Sequence, residues 1–520
     1  MVRHWVFGVA VGMWPLVGFG AAGGPATAPT APDWSAHIVT PPAPAAPRIH
    51  AAARFGVRPQ APFLFTIPAT GERPMTFAAD HLPAGLTLDA QTGQITGKLS
   101  GPGTTEVTLR ATNGQGTAEK KLSIVAGDTI ALTPPMGWNS WNCWASAVDQ
   151  EKVLSSAHAM ITSGLINHGW TYINIDDAWQ GVRDPQTHAL QPDAKKFPDI
   201  QAMCNEIHSL GLKTGIYSTP WVRSYAGRLG ESAENPEGAE QRFSGPAVRN
   251  KKVLPYAIGK FHFADVDAKQ WAVWGIDYLK YDWGPVEAPE AREMAEALRA
   301  SGRDVVFSLS NNSVGNVIQV APEISKIANA WRTTKDITDN WGRVQEIGFS
   351  QTPWAEFQSP GHYNDPDMLV VGFVGWGPRL HFSKLTPDEQ YTHLTLWSLL
   401  SAPLLIGCDL ARLDAFTLNL LTNDEVLAID QDSLVKPARL AKKEGDVQVY
   451  VKELDDGSRA VGFFNLGAAA TSYAPKWQEL GMAAGATARD LWRQKELGGL
   501  PASVELNAHG TLLLKVTGAK

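Results

Sequence analysis

Cysteine is scarce: three in 520 residues. Cys143, Cys204 and Cys408 form no CxxC pair, and no histidine cluster accompanies them, so the sequence offers no zinc site. An odd number leaves at least one thiol unpaired, and buried, inert thiols are expected. HExxH, a GxSxG elbow and a Walker loop are all missing, as is a Gly-rich dinucleotide fingerprint after the early strand candidates. No motif calls for a metal or a cofactor. Long runs of one charge are missing too: 45 Lys and Arg against 52 Asp and Glu leave a net charge of −7. That balance gives no reason to expect nucleic acid or an anionic membrane surface as a partner, and a neutral substrate fits it. Only one apolar stretch stands out, Trp5 to Phe19, behind Arg3 and His4 and ahead of Gly20, Ala21 and Ala22. It is short for a membrane span and reads as an export signal cut after Ala22; a short membrane anchor is the alternative. No Cys follows it, so a lipid anchor lacks its attachment residue. The expectation is export to the periplasm or beyond, without stable membrane insertion.

The length implies more than one domain, and 44% hydrophobic residues supply a large core. After the signal (1–22), residues 23–47 are rich in Pro and Ala and read as a linker. Residues 48–127 alternate as half-buried strands do, for instance Glu106-Val107-Thr108-Leu109-Arg110-Ala111-Thr112, with turns at Thr92-Gly93 and Asn113-Gly114. That texture predicts a small β-sandwich. Within it, Leu82-Pro83-Ala84-Gly85-Leu86-Thr87-Leu88-Asp89 and Thr92-Gly93-Gln94-Ile95-Thr96-Gly97 resemble the immunoglobulin-like domains appended to bacterial surface and secreted enzymes.

From 128 to 435 one arrangement repeats: a short apolar run ends in polar residues, and a helical segment follows. Clear runs are Tyr172–Ile175, Lys213–Tyr217, Tyr278–Tyr281, Val305–Ser308 and Pro403–Ile406. Weaker ones lie at Met136–Trp141, Ile327–Arg332 and His362–Asp367. Helical segments include Lys152–Ser163, Ile200–Leu210, Glu290–Ala300 and Glu389–Ser401. Eight such units predict a (β/α)₈ barrel, with an open doubly wound sheet as the competitor. Residues 436–520 return to strands, among them Val447–Val451 and Ala460–Phe464 around Asp455-Asp456-Gly457, and predict a second β-sandwich.

The chemistry gathers where barrel strands should end. Asp176 and Asp177 follow Ile175, Asp282 follows Tyr281, Asp336 comes after Arg332, Asp365 and Asp367 follow Asn364, and Asp409 follows Cys408. In a barrel these positions open on the C-terminal mouth, where such enzymes keep their sites. Any single carboxylate after a strand can equally cap the next helix, and Asp409 is assigned to that role. Seven around one mouth are harder to explain as caps, because like charges repel. Trp138, Trp141, Trp144, Trp179, Trp283 and Trp331 lie in or beside the same strand ends. Aromatic faces stack on pyranose rings, but core packing competes, and fewer than half of the six are expected to touch sugar. His362 beside Asp365-Pro366-Asp367 lacks a second ligand cluster and reads as a hydrogen-bonded mouth residue rather than a metal ligand.

These segments resemble glycoside hydrolase family 27, the α-galactosidases and α-N-acetylgalactosaminidases, over about Leu132 to Lys520. The resemblance is carried by Pro135-Met136-Gly137-Trp138-Asn139-Ser140-Trp141, Ile175-Asp176-Asp177-Ala178-Trp179, Tyr278-Leu279-Lys280-Tyr281-Asp282, Trp331-Arg332-Thr333-Thr334-Lys335-Asp336-Ile337, Asn364-Asp365-Pro366-Asp367-Met368 and Leu399–Asp409. It implies a retaining exo-glycosidase acting on an α-galactoside-type carbohydrate, with Asp282 as nucleophile and Asp336 as general acid/base. It further implies that Asp176 and Asp177 bind the 4- and 6-hydroxyls, Lys280 the 3- and 4-hydroxyls, and Arg332 the region of the 2-position. Trp141 and Tyr217 would shape the wall, and Asp367 would lie near the 2-position. Lys280, two residues before Asp282 on a strand, should share its side and keep it ionised. Ser310 stands where well-known α-galactosidases carry a Glu against the 2-hydroxyl. That change leaves α-N-acetylgalactosaminidase, β-L-arabinopyranosidase and isomaltodextranase activities as alternatives, although the Asn311–Gly315 loop does not follow the N-acetylgalactosaminidase version. Ala178 and Gly284 replace cysteines that often form bridges in the family. A catalytically dead carbohydrate-binding protein is the rival from another class, and the presence of both Asp282 and Asp336 argues against it.

Overall fold

The computed structural model describes residues 30–239, 257–310, 314–377 and 379–518. The expected signal segment and the start of the linker lie outside the described residues, as does Asn311-Asn312-Ser313. Among the described residues, no helix is long and apolar enough to cross a membrane.

All eight expected barrel strands form. They are β1 (Met136–Asn139), β2 (Tyr172–Asn174), β3 (Lys213–Ser218), β4 (Ile276–Asp282), β5 (Val306–Ser310), β6 (Ala330–Arg332), β7 (Tyr363–Asp365) and β8 (Leu404–Ile406). Their order is β7-β6-β5-β4-β3-β2-β1-β8, every pair parallel. The sheet closes just past the end of β7: Leu369 donates its N–H to Leu405 at 2.8 Å and accepts from Gly407 at 3.0 Å. Closure satisfies the edge groups that an open sheet would expose, so the doubly wound alternative falls away. The strands read as apolar runs because helices cover them outside and side chains fill the barrel inside.

The helices start where short polar side chains cap them. Asp149 accepts from Lys152 N ahead of Gln150–Thr162, and Asp199 from Ala202 N ahead of Ile200–Ser209. Thr386 and Glu389 form a reciprocal capping box for Pro387–Leu399. That last helix has no exposed face, because the C-terminal domain covers the side turned away from the barrel. Asp409 accepts from Ala411 N at 3.1 Å and is a cap, as expected.

The N-terminal domain pairs a four-stranded sheet (Arg54–Val57, Gly116–Ala126, Gly103–Asn113, Thr76–Asp80) with a three-stranded one (Phe63–Thr66, Gln94–Gly97, Leu86–Leu88). Val107, Leu109, Leu122, Ile124 and Ile95 fill the space between them. It docks under the N-terminal end of the barrel, opposite the mouth. Arg58 binds Asp304 through its backbone N (2.9 Å) and Nε (2.6 Å), Thr66 Oγ1 donates to Gly211 O (2.9 Å), and Gln94 Nε2 donates to Ser209 O (3.1 Å).

The described part of the Pro/Ala-rich segment is not a free linker. Trp34 packs edge-on against Phe416 (5.3 Å), Tyr391 donates its hydroxyl to His37 O (2.9 Å), and Asn419 Nδ2 donates to Thr40 O (2.9 Å). The C-terminal domain is a six-stranded antiparallel sheet, from Arg439–Glu444 to Thr511–Thr517, accompanied by the ribbon Thr471–Tyr473 with Val504–Leu506.

Candidate active site

At the mouth, the chain leaves β2 through a turn that directs two consecutive carboxylates inward. Ser140 Oγ accepts from Asp176 N (2.9 Å), Asp176 Oδ1 accepts from Asp177 N (2.8 Å), and Asp177 Oδ1 accepts from Ala178 N (2.7 Å). Ala178 adopts φ +83°, a left-handed conformation costly for a non-glycine residue. Asp177 Oδ2 accepts from Ala226 N (2.8 Å), which ties the loop after β3 to the site. Burial raises the Asp177 carboxyl above the usual range.

Lys280 and Asp282 project from the same side of β4, as two-residue spacing requires. Lys280 Nζ lies 2.8 Å from Asp176 Oδ2 and 5.6 Å from the centre of the Tyr217 ring. Burial alone would lower this ammonium, but Asp176 and Asp282 outweigh it and the net shift is upward. Asp282 is 8% exposed. Its Oδ2 accepts from the Tyr217 hydroxyl at 3.3 Å, and its Oδ1 is buried with no hydrogen-bond partner among the described residues. Burial pushes its carboxyl up to about 7; Lys280 and Arg332 pull down, while Asp336 and Asp176 push further up. The expectation that Lys280 keeps Asp282 ionised is therefore corrected. Lys280 acts in that direction, but its ion pair is with Asp176, and desolvation is the larger effect.

Across the cavity, Arg332 Nη2 binds Asp367 Oδ2 at 2.8 Å and Asp336 Oδ1 at 3.2 Å. Asp336 is 63% exposed by its side chain, and Asp367 only 6%. Asp367 takes φ +85°, and its carboxylate accepts from Ile337 N (2.7 Å) and Met368 N (2.9 Å). Burial raises its carboxyl, with Arg332 opposing. Asp365 accepts from Asp367 N at 2.8 Å and braces it. Burial lifts the Asp365 carboxyl to about 6.

A cavity of about 180 Å³ joins these groups. Trp141, Asp176, Asp177, Tyr217 and Lys280 line it, as do Asp282, Arg332, Asp336 and Asp367. Ser310 is not on its wall; it is buried in β5, in register with Asp282. Of the six tryptophans singled out, Trp141 alone lines the cavity. Trp138, Trp179 and Trp331 donate their indole N–H groups to Cys408 O, Tyr217 O and Asn364 Oδ1 within the core. His362 precedes β7 and so sits at the opposite end of the barrel, where Nδ1 lies 2.8 Å from Ala328 O; the mouth position expected for it is corrected. Asn142, Tyr225, Met368 and Trp376 also line the cavity. Asn142 and Met368 adjoin the strand-end motifs, whereas Tyr225 and Trp376 come from loops with no strand-end signal.

A buried carboxylate with a free oxygen, a second carboxyl group near the entrance and an aromatic wall at the mouth of a (β/α)₈ barrel define a glycoside hydrolase. The Melibiase_2 model, alpha galactosidase A, matches residues 133–244 and 247–432. The alpha galactosidase C-terminal beta sandwich domain matches 444–516, and an Ig-domain model matches 44–127. The chain belongs to this alpha-galactosidase family, the Melibiase_2 glycoside hydrolases. Among its relatives, alpha-galactosidase 2 of Arabidopsis thaliana is 38% identical over 370 residues, 70% of this chain and 83% of that one. A Bacteroides fragilis crystal structure, proposed to be an alpha-galactosidase/melibiase, superposes with a TM-score of 0.80 at 31% identity, covering 92% of this chain and 99% of that one. A GH27 β-L-arabinopyranosidase from Geobacillus stearothermophilus superposes with a TM-score of 0.64 at 27% identity, covering 75% and 98%.

Proposed function

We propose that this protein is a retaining exo-glycosidase that releases terminal α-D-galactosyl residues from oligosaccharides or polysaccharides. One observation carries the reading: the two carboxyl groups stand in different surroundings at one small cavity. Asp282 lies on the floor with a buried oxygen that has no hydrogen-bond partner among the described residues, and Asp336 lies at the solvent side. Asp282 attacks the anomeric carbon as the bond to the leaving oxygen breaks, and Asp336 delivers a proton to that oxygen. The glycosyl–Asp282 ester is then opened by water, which gives its proton back to Asp336. The leaving group departs and water arrives from the entrance, where Asp336 sits. Attack requires the ionised form of Asp282, which Lys280 and Arg332 favour against the cost of burial.

The cavity of about 180 Å³ suits one terminal sugar rather than a threaded chain. Asp176, Asp177 and Lys280 crowd charged hydrogen-bonding groups on one side, which supports binding of neighbouring hydroxyls such as the 3-, 4- and 6-hydroxyls of galactose. Arg332 and Asp367 serve the side of the 2-position. Ser310, short and off the cavity wall beside Asp282, brings no carboxylate against the 2-position, which keeps a 2-acetamido sugar as a second reading.

Proton NMR of the products from p-nitrophenyl α-galactoside tests the mechanism: α-galactose must form first and mutarotate later. β-Galactose as the first product overturns it. Rates on the 2-acetamido and β-L-arabinopyranosyl counterparts test the sugar, with the galactoside expected to be fastest. The apolar segment Trp5–Phe19 supports export, so the mature protein should begin near Gly23; amino-terminal sequencing that begins at Met1 refutes the cut.

A further inference from the structure

Away from the substrate cavity, the loop after β3 returns to the outer layer of the barrel beside two helix starts. Three side chains meet there: Glu231, His262 and Glu293. Glu231 is 1% exposed. Its Oε1 accepts from the backbone N–H groups of Phe263 (2.6 Å) and Ala264 (2.9 Å), at the start of helix Ala264–Trp274. Its Oε2 lies 3.8 Å from His262 Nδ1, too far for a hydrogen bond. The same His262 nitrogen lies 3.0 Å from Glu293 Oε2, on helix Ala288–Ala300. Burial, reinforced by the charge of Glu293, pushes the Glu231 carboxyl up to about 8.

All three candidate ligand atoms lie within 4.8 Å of one another. A triangle with sides of 3.0, 3.8 and at most 4.8 Å has a circumscribed radius of no more than about 2.4 Å. Zinc bonds to such atoms run from about 2.0 to 2.2 Å, so side-chain rotations that bring the three atoms a few tenths of an ångström closer place them all on a single ion with no backbone movement.

We propose that Glu231 Oε2, His262 Nδ1 and Glu293 Oε2 bind one divalent transition-metal ion. One imidazole nitrogen with two carboxylate oxygens favours zinc or manganese over calcium and magnesium, which prefer all-oxygen shells. His262 and Glu293 also line a surface pocket with Asp265, Arg292 and Glu296, through which water and an ion can reach the site. Binding is proton-coupled, since the imidazole nitrogen and any proton on Glu231 must be given up. The three residues are spaced 31 apart in sequence (262 − 231 and 293 − 262), so no compact motif announces them. The ion cross-links the base of the β3 loop to two helices. That loop carries Tyr225 to the cavity wall and Ala226 N–H to Asp177. The site is structural, and it stiffens one side of the sugar pocket from outside.

The full chain, stripped with EDTA, is titrated with zinc, manganese and calcium chlorides by calorimetry and followed by thermal melting. The expected result is one zinc ion per chain, a raised Tm and weaker calcium binding. His262→Ala and Glu293→Gln change half-exposed side chains and should fold. Each should weaken zinc binding at least about tenfold and remove the rise in Tm, with turnover of the metal-free protein unchanged. If a protonated His262 alone holds the two acids together, no zinc binds and the proposal fails. Zinc binding of equal strength in both variants, or calcium binding as tight as zinc, also overturns it.

Discussion

Replacing Asp282 by Asn should abolish turnover and, above neutral pH, make the protein more stable. Burial lifts the Asp282 carboxyl from 3.8 to about 7. At about 1.4 kcal/mol per pH unit, holding it ionised in the folded state costs about 4 kcal/mol more than in the unfolded chain. The attraction of Lys280 and Arg332 is already contained in that value. Below pH 3.8 the carboxyl is protonated in both states and there is no cost. Between 3.8 and about 7 the folded state holds the proton and the unfolded state does not, so stability falls as pH rises; above 7 the cost is complete. Asn has nearly the shape of the protonated acid, can still accept from Tyr217, and never ionises. The gain should therefore be about 4 kcal/mol at pH 8 and vanish at pH 3.5. With an unfolding entropy of about 2.1 cal/mol/K per residue over a barrel of roughly 300 residues, this raises Tm by about 6 °C. Scanning calorimetry of both proteins at pH 4, 5, 6, 7 and 8 reads the profile. A gain of equal size at pH 4 and pH 8, or none at pH 8, would refute desolvation as the dominant effect on Asp282.

Asp336→Ala should lose most activity on substrates with poor leaving groups and least on those with acidic phenols, because an acidic phenol departs without a proton; steady-state rates across a phenol series that fall uniformly argue against the acid role. The acid limb of kcat/KM should have its midpoint near pH 7, with activity falling as pH drops and Asp282 is protonated. Lys280→Met removes a charge that draws this carboxyl down, so the limb should move to higher pH; a limb that stays or moves lower contradicts the electrostatics. A chain that begins near Ala131 should hydrolyse p-nitrophenyl α-galactoside at a rate within about twofold of the full protein, since the sandwich docks at the far end of the barrel, while its Tm falls as Met136, Tyr172 and Val306 lose their cover. A large loss of rate would place the sandwich in the catalytic unit.

Much of the site is legible in the chain because barrel geometry converts sequence position into place. A polar residue after an apolar run reaches the mouth, and this finds Asp176, Asp177, Asp282 and Asp367 without a template. His362 shows the limit of the rule: one residue before β7 instead of after it, the side chain belongs to the other end. Tyr225 and Trp376 reach the wall along loops, where no periodicity records direction; Trp376 does so with φ +52°. The ionisation of Asp282 was legible in sign only for its charged neighbours. Lys280 is visible two residues away, but desolvation depends on packing contributed by distant segments such as Tyr217. Ser310 was expected at the 2-position of the sugar, but it does not line the cavity although it is in register with Asp282, because which neighbouring side chains cover a strand-end residue is not encoded in spacing. The divided ligand set of Glu231, His262 and Glu293 lies beyond motif reading for the same reason.

The strap formed by Trp34, His37 and Thr40 has a mechanical consequence. The chain clasps the helices Pro387–Leu399 and Ala415–Leu421 before it enters the N-terminal sandwich, which is itself bolted to the barrel floor by Arg58, Thr66 and Gln94. A module held at two points cannot swing out to fish for a polymer and hand it to the mouth. Its effective concentration at the floor is that of a folded interior contact, so cutting the chain between Gly127 and Ala131 should leave the strap-and-sandwich fragment with the barrel on a sizing column. Substrate must come to a rigid body with one open end, and any surface the sandwich offers to other molecules travels with its back to the reaction.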